Sequence, residues 1–361
     1  MTSKTISNGI LRSVGILTAI ALAVFFLYKI QSVLIYLAIA AVLSLIARPI
    51  MTLLKDRLKL PNLVAVLITM SLFMLAIFGI VSMFVPLIVQ QGYNISLLNT
   101  SELHQNIKDL LTQINQYFSI RGIDITNQIK DLDLASNLKV IPSFLNTILA
   151  TVGTLSMGLF SVLFILFFFL KDKRILHQVF LAITPDDKEQ RLMTSLNKIS
   201  KLLSRYFIGL IIQIAILFTI YSVILLVSGI ESALVIAFLA AILNIIPYIG
   251  PLIGGILMLT LTMTSNLEYD FQTVILPTTI WVFIGYVVAQ MIDNFFSQPI
   301  IFSKSVKSHP LEIFLIIIIG GLLFGIAGMI IAVPTYTALK VIFKEYYSDN
   351  QIIKQLTKDL D

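Results

Sequence analysis

Long apolar runs separated by short polar connections dominate the chain. A helix that crosses the hydrocarbon core of a membrane needs about 20 consecutive apolar residues. Six runs reach that length without a central break, and each is predicted to be a full membrane span. They are Ile10–Tyr28, Val33–Leu54, Leu63–Val89, Phe144–Leu170, Tyr206–Val227 and Thr273–Phe296.

Two longer runs, Ala233–Met263 and Leu311–Phe343, are interrupted by glycine and proline. Proline removes a backbone donor and glycine loosens a helix, so an unbroken span is not expected there. At bilayer depth the freed backbone groups must be buried in protein or line a watery cavity, where transporters bind ligands. The predicted breaks are Pro247, Gly250, Pro251, Gly254 and Gly255 in the first run and Gly320, Gly321, Gly325, Gly328 and Pro334 in the second.

Composition places the chain among all-α polytopic membrane proteins. Of its 361 residues, 58% are hydrophobic and 12% are charged, whereas about a quarter are charged in a soluble domain. The net charge of +6 does not predict a nucleic-acid partner, because the charges lie in the connections and act as topology signals. The absence of cysteine excludes disulfides, thiolate metal sites and cysteine nucleophiles. Neither a metal nor a cofactor is predicted.

Basic residues predict the orientation, because Lys and Arg favour short cytoplasmic loops. Such residues precede the first span and follow the second and fourth spans, and Lys340, Lys344, Lys354 and Lys358 lie in or near the tail. Both termini are therefore predicted to be cytoplasmic. The segment 90–142 then lies outside, and its apolar periodicity predicts a small extracytoplasmic subdomain of amphipathic helix.

The same rule decides how the interrupted runs are arranged. If each crossed once, acidic Thr264–Gln272 would be cytoplasmic and basic Ser297–Pro310 would be outside, which contradicts the rule. Two re-entrant helical hairpins, one entering from each side, reverse both assignments. We therefore predict six full spans and two broken hairpins, with eight spans as the alternative.

A similarity between two segments of the chain is consistent with two paired hairpins. A shift of 77 residues places Gln213 on Gln290 and lays Asn244–Gly255 over Gly321–Ala332. The two halves would then be inverted repeats, which give transporters two access states around a midplane site.

The predicted domain organisation is 1–89 for spans one to three, 90–142 for the extracytoplasmic subdomain, 143–205 for span four and a cytoplasmic amphipathic helix, 206–343 for the transport core and 344–361 for the tail.

Asp293 is the first candidate for chemistry, because an ionisable group within a span is costly and should face a cavity or a partner. It is either a contact for a proton, sodium or substrate, or an acid already in interfacial water.

Four amide side chains and Tyr248 are further candidates. Amides suit a polar solute, and they equally serve as hydrogen-bonding contacts between helices. Tyr248 is either a gate or an interfacial anchor. The amides are Gln213, Asn244, Gln290 and Asn294.

No motif for enzymatic catalysis is present. The sequence has no H-E-x-x-H, G-x-S-x-G or P-loop pattern, and its three histidines are far apart and outside the apolar runs. We therefore expect a non-enzyme.

Several short motifs occur along the chain's spans and connections. They are Asn244–Pro251 with Gly254 and Gly255, Asp293-Asn294, Pro299, His309-Pro310-Leu311, Gly320-Gly321, Phe324-Gly325, Gly328, Ala332-Val333-Pro334 and Phe169-Leu170-Lys171-Asp172. Together these motifs resemble those of the AI-2E family, the autoinducer-2 exporter-like transporters of bacteria. Ser303 stands where that family frequently has glycine.

The resemblance implies a homo-oligomeric transporter of the bacterial inner membrane with a small-molecule or ion substrate. Family members are linked to export of autoinducer-2 or to sodium/proton antiport. The first hypothesis is thus export of a small polar solute or signal such as autoinducer-2. The alternatives are a cation/proton antiporter and, from a different class, a membrane scaffold or channel without coupled transport.

Overall fold

The computed structural model describes residues 3–97, 109, 112–120, 158–172, 189–230, 232–266, 269–299, 308–347 and 350–358. Across these residues the regular elements are helices, with no strand. Backbone contacts divide the chain into two compact units, residues 1–70 with 154–176 and residues 71–153 with 177–361. The first unit holds the first two spans and the start of the third, and the second unit holds both interrupted runs.

The helices follow the apolar runs closely. Short π-helical turns lie at Leu53–Arg57, Phe271–Ile275 and Asp293–Ser297. The α-helices are Ser3–Lys29 (α1), Gln31–Thr52 (α2), Asn62–Leu97 (α3), 112–119 (α4), Gly158–Lys171 (α5), Glu189–Val227 (α6), Ala233–Leu243 (α7), Ile249–Thr264 (α8), Leu276–Ile292 (α9), Pro310–Tyr346 (α10) and Gln351–Leu356 (α11).

Five of the six predicted spans correspond to helices long and apolar enough to cross a membrane, within α1, α2, α3, α6 and α9 with its flanking turns. The fourth predicted span is described only over Gly158–Lys171, and its earlier part lies outside the described residues. The predicted cytoplasmic helix and the fifth span form one continuous helix, α6. The all-α polytopic class is confirmed.

Small residues join α2 to α3 in the first unit. Ala47 and Ala65 are fully buried, and Thr69 donates a hydrogen bond to Met51 Sδ at 3.4 Å. Small side chains let membrane helices approach closely, where dispersion contacts are strongest. Asn62 Nδ2 also donates to the carbonyl of Lys171 at 2.9 Å, which satisfies one of the acceptors left free at the end of α5.

The first interrupted run is a helical hairpin, called hairpin 1 (Ala233–Thr264). Helices α7 and α8 are joined by Asn244–Tyr248, and neither is long enough to cross a membrane alone. The helices pack so closely that a Cβ on Gly250 would overlap the carbonyl of Leu243. Only glycine fits at this approach.

The second interrupted run is also a hairpin, called hairpin 2 (Pro310–Tyr346), with arms 310–324 and 326–346. Its helical dihedrals are broken at Gly325, which has φ 61° and ψ −147°. In a straight helix Gly320 and Gly328 would be about 12 Å apart, yet a Cβ on Gly320 would lie 2.6 Å from the Gly328 carbonyl oxygen. The chain therefore folds back at Gly325.

Pro334 is not part of this break. The second arm of hairpin 2 continues as helix through it. Gly320 and Gly321 lie in the first arm, and Gly328 lies in the second, so these glycines line the packed arms while Gly325 makes the turn. The predicted break was therefore too wide at its C-terminal end.

The two turns coincide under the sequence shift. Tyr248, with φ 68°, and Gly325, with φ 61°, both adopt the left-handed region, and they are 77 residues apart. Such a conformation is rare for a residue with a bulky side chain. The shift that aligns Gln213 with Gln290 therefore also aligns the residues at which each hairpin reverses.

Part of the segment 90–142 lies within the described residues. Helix α4 packs near the start of the sixth span, where Gln113 Oε1 accepts a hydrogen bond from the Phe271 backbone N–H at 2.8 Å. The rings of Tyr117 and Phe271 also meet edge to face, with centroids 5.9 Å apart. The segment that follows hairpin 1 thus lies beside the predicted extracytoplasmic subdomain.

Candidate functional site

Asp293 lies at the junction between α9 and the π-helical turn Asp293–Ser297. Its side chain is buried, and the residue is 1% exposed. In a π-helical turn, residues five apart come onto neighbouring positions, and such turns are frequent at functional sites. This geometry brings Gln298 back over Asp293.

The two oxygens of the Asp293 carboxylate have different surroundings. Oδ2 accepts hydrogen bonds from Gln213 Nε2 at 2.8 Å and from Gln298 Nε2 at 3.1 Å. Oδ1 has no hydrogen-bond partner among the described residues. A buried carboxylate oxygen without a donor is costly unless it receives a proton, a cation or a ligand.

A second polar cluster lies one helical turn before Asp293, around Gln290. Gln290 Nε2 donates to Tyr221 Oη at 2.6 Å and to Tyr286 Oη at 3.1 Å, and it lies 3.4 Å from Asn244 Oδ1. The Tyr286 hydroxyl in turn donates to the carbonyl of Pro251. The cluster therefore links α6 and α9 to the turn of hairpin 1.

Aromatic packing supports this cluster. The rings of Tyr221 and Tyr286 stack with centroids 5.5 Å apart and planes 21° apart. A Cβ on Gly255 would lie 2.8 Å from the Tyr286 ring, so the ring rests directly on the backbone of α8. Gly255 thus serves helix-to-ring packing, whereas the turn itself is made by Asn244–Tyr248.

A small pocket lies between the turn of hairpin 1 and α6, with room for about one water-sized molecule. Its wall combines amides, two prolines and an aromatic ring, so it is mostly apolar with a few convergent polar groups, as is typical of ligand sites. The lining residues are Tyr206, Leu210, Gln213, Asn244, Pro247, Pro251 and Gln298.

The sequence-derived candidates divide into three groups. Gln213 bonds directly to Asp293, and Asn244 and Gln290 meet in the neighbouring cluster. Asn294 is exposed, and its Oδ1 accepts a hydrogen bond from Gln298 at 2.9 Å. Tyr248 is 43% exposed and lies outside both clusters.

Several residues of the site were not predicted. Tyr286 lies four residues before Gln290, a helical spacing that places both on one face and could have revealed it. Gln298 requires the π-helical turn, because residues five apart do not face each other on an α-helix. Tyr221 and Tyr206 have no signal in the sequence that separates them from other aromatic residues in spans.

The arrangement offers two kinds of chemistry. The carboxylate of Asp293 can exchange a proton or hold a cation, while the amides and phenols around Gln290 can donate to and accept from a polar solute. Both lie against the broken hairpin, as in transporters whose sites are formed by discontinuous helices.

Curated relatives share this chain's sequence to different extents. "Putative transport protein YueF" of Bacillus subtilis (strain 168) is 27% identical over 334 residues, which cover 88% of this chain and 85% of the relative. "Putative transport protein YrrI" of the same organism is 28% identical over 178 residues, 49% of this chain and 48% of the relative. "Putative permease PerM" of Escherichia coli (strain K12) is 34% identical over 73 residues, 20% of each chain.

A family model covers most of the described helices as well. The AI-2E family transporter model matches residues 16–348, which include both hairpins and Asp293. The relatives are putative transport proteins and a putative permease, which agrees with an all-α polytopic membrane protein. The chain therefore belongs to the AI-2E transporter family.

Proposed function

We propose that the protein is a secondary transporter that exports a small polar solute or signal, such as autoinducer-2, and that Asp293 carries the coupling proton or cation. The carboxylate of Asp293 supports this proposal, because it is the one buried acid among the described residues and one of its oxygens has no donor there. The solute would contact the amides and phenols next to hairpin 1.

Reconstituted vesicles test the coupling role. Asp293→Asn should still bind the solute, but its flux driven by a proton or sodium gradient should fall at least about tenfold. The reason is that an amide can neither release a proton nor balance the charge of a cation. Asp270→Asn, at an exposed acid before the same span, should transport like the wild type. Unchanged gradient-driven flux in Asp293→Asn would refute the role of Asp293.

A cation/proton antiporter is the second candidate function. The free oxygen of Asp293 favours it, because one carboxylate that binds either a proton or a cation is sufficient for exchange. In this case adding sodium to protein-containing vesicles should collapse a pH gradient without any organic solute. Solute export predicts collapse only when the solute is present. Absence of saturable flux in both assays would favour a channel or scaffold.

We also propose that both hairpins are re-entrant, with the termini in the cytoplasm of a bacterial cell and the segment 90–142 outside. The contact between α4 and Phe271 supports an outward position for the segment after hairpin 1. Because the chain lacks cysteine, Tyr269→Cys and His309→Cys can report topology. An impermeant thiol reagent should label the first in intact cells and the second only after lysis. The opposite pattern would restore eight spans.

Homo-oligomerisation is part of the same proposal. Exposed apolar side chains cover many helix faces of the described residues, which is consistent with contact to lipid or to further copies of the chain. Light scattering on the purified protein in detergent should give a mass of several protomers. A monomeric mass that persists in lipid nanodiscs would contradict this point.

A further inference from the structure

The turn of hairpin 1 meets hairpin 2 at an aromatic pair. Tyr248 and Phe314 have ring centroids 5.5 Å apart and planes at 87°. This edge-to-face arrangement is favourable because the positive edge of one ring faces the negative face of the other. Tyr248 directly follows Pro247, which lines the pocket next to Asp293.

The backbone of Tyr248 is strained. Its φ of 68° and ψ of −49° are rarely adopted by a residue with a side chain. Strained residues persist where their surroundings hold them, and they concentrate at ligand clamps and switches. Phe314 supplies such support, since the Tyr248 ring rests against it. Loss of this contact would let the turn relax.

A polar cluster at the base of hairpin 2 holds the arm that carries Phe314. Lys340 Nζ donates to Glu312 Oε2 at 3.2 Å and to Ser308 Oγ at 3.0 Å, and the Tyr336 hydroxyl donates to the same Glu312 oxygen at 2.6 Å. The side chain of Lys340 is fully buried. These bonds join the two arms two residues from Phe314.

We propose that Tyr248 and Phe314 form an aromatic gate beside the small pocket between the turn of hairpin 1 and α6, and that Glu312, Lys340 and Tyr336 are positioning residues that hold Phe314 in the closed arrangement. The inference rests on the proposed transport function, because it assigns that pocket an entrance controlled by hairpin 2. Separation of the two rings would release the turn at Tyr248 and expose the pocket to a polar solute.

Thiol accessibility tests the gate without any solute or ion gradient. Leu210 lines the pocket and is 8% exposed, so Leu210→Cys places a single reporter there in a chain without native cysteine. When Phe314→Ala is combined with this reporter, a small thiol reagent should modify the cysteine about threefold to tenfold faster. This factor corresponds to the free energy of one aromatic contact. Leu315→Ala, which removes an exposed side chain on the same arm, should not.

Phe314→Leu extends the test, because it keeps an apolar side chain and is expected to fold normally. It should give an intermediate rate of modification. Equal rates in Phe314→Leu, Leu315→Ala and the reporter alone would overturn the gate, whether or not Phe314→Ala can be purified. Failure of solute flux together with faster modification would refute the transport proposal and leave the gate intact.

Tyr336→Phe tests the positioning role. It removes one hydrogen bond to Glu312 and should speed modification about twofold to threefold. Because Tyr336 would act through Phe314, combining Tyr336→Phe with Phe314→Ala should give no further increase. Additive rates, or an unchanged rate in Tyr336→Phe alone, would show that the cluster stabilises hairpin 2 without controlling the gate.

Discussion

The two hairpins reverse at equivalent residues and differ in what surrounds their turns. In hairpin 1, Asn244 and Ile246 are 3% and 5% exposed. In hairpin 2, Leu322 and Phe324 are 83% and 69% exposed. Both turns use a residue with positive φ. A positive φ therefore occurs in a mostly buried turn that contains Asn244 in one hairpin, and in an exposed apolar turn in the other.

The polar contacts of the two hairpins also differ. The turn of hairpin 1 touches amides and phenols near a carboxylate with an unpaired oxygen. The polar residues of hairpin 2 are at its base, where Lys340 and Glu312 pair. Unpaired buried groups indicate ligand chemistry, whereas a paired set indicates structure. The comparison supports the proposed substrate contact at hairpin 1 and the proposed positioning role of hairpin 2.

Alanine substitutions at Gly250 and Gly325 should distinguish a glycine required for close packing from one required for its backbone conformation. Gly250→Ala should lower the free energy of unfolding by about 3 kcal/mol, because its Cβ would overlap the Leu243 carbonyl. Gly325→Ala should cost about 1 to 2 kcal/mol, since its Cβ meets no atom within 4 Å and only its positive φ opposes alanine. Thermal unfolding in detergent measures both, with Gly79→Ala as a control in an open helix position. Equal melting temperatures for Gly250→Ala and Gly79→Ala would contradict the close packing.

Lys340→Met should destabilise the protein by about 2 kcal/mol, because it leaves Glu312 without its cation. Breaking a fully buried pair costs about 3 to 5 kcal/mol, and Glu312 keeps 31% of its side chain exposed. Lys354→Met, at an exposed lysine of α11, is the matched control. Partial recovery is expected when Glu312→Gln is combined with Lys340→Gln. A melting temperature equal to that of the control would mean that the pair does not hold the arms.

Asp293→Asn should have the opposite effect on stability. Removing a buried charge whose Oδ1 has no partner should raise the free energy of unfolding by about 1 kcal/mol, even though coupled transport is lost. The same thermal assay compares it with Lys340→Met. If Asp293→Asn destabilises the protein as much as Lys340→Met, Asp293 has a structural role and the contrast between the hairpins fails.

The smallest effect is expected at Asp270, where the chain leaves hairpin 1 and enters the sixth span. Asp270 caps that helix, and hydrogen bonds from the Thr273 side chain and backbone lower its pKa. Because the folded-state pKa lies below the unfolded one, the cap stabilises fully above the ordinary aspartate pKa of about 3.9 and is lost as pH falls through the folded value. Asp270→Ala should therefore lower the melting temperature slightly at pH 7, and the difference should vanish in acid. A difference that grows in acid would contradict this sign.

Hydropathy and charge predicted much of the fold. Proline and glycine in Asn244–Gly255 predicted hairpin 1, and the glycines from Gly320 to Gly328 predicted hairpin 2, because these residues act on the backbone wherever they stand. The prediction of breaks failed at Pro334, and also at Gly254 and Gly255, because the helix continues through each of these residues. Lys340 was interpreted as an orientation signal near the tail, yet its side chain is buried in hairpin 2.

The sequence by itself determined the membrane class, the positions of the two reversals and the choice of Asp293 as a candidate site residue, since chain length, hydropathy and backbone restrictions are local properties. Only the tertiary structure decided which polar groups meet. Gln213 and Asp293 are 80 residues apart in the chain, and Lys340 and Glu312 are 28 apart. Their pairing depends on how helices pack and on the π-helical turn that brings Gln298 over Asp293, and local pattern does not specify either.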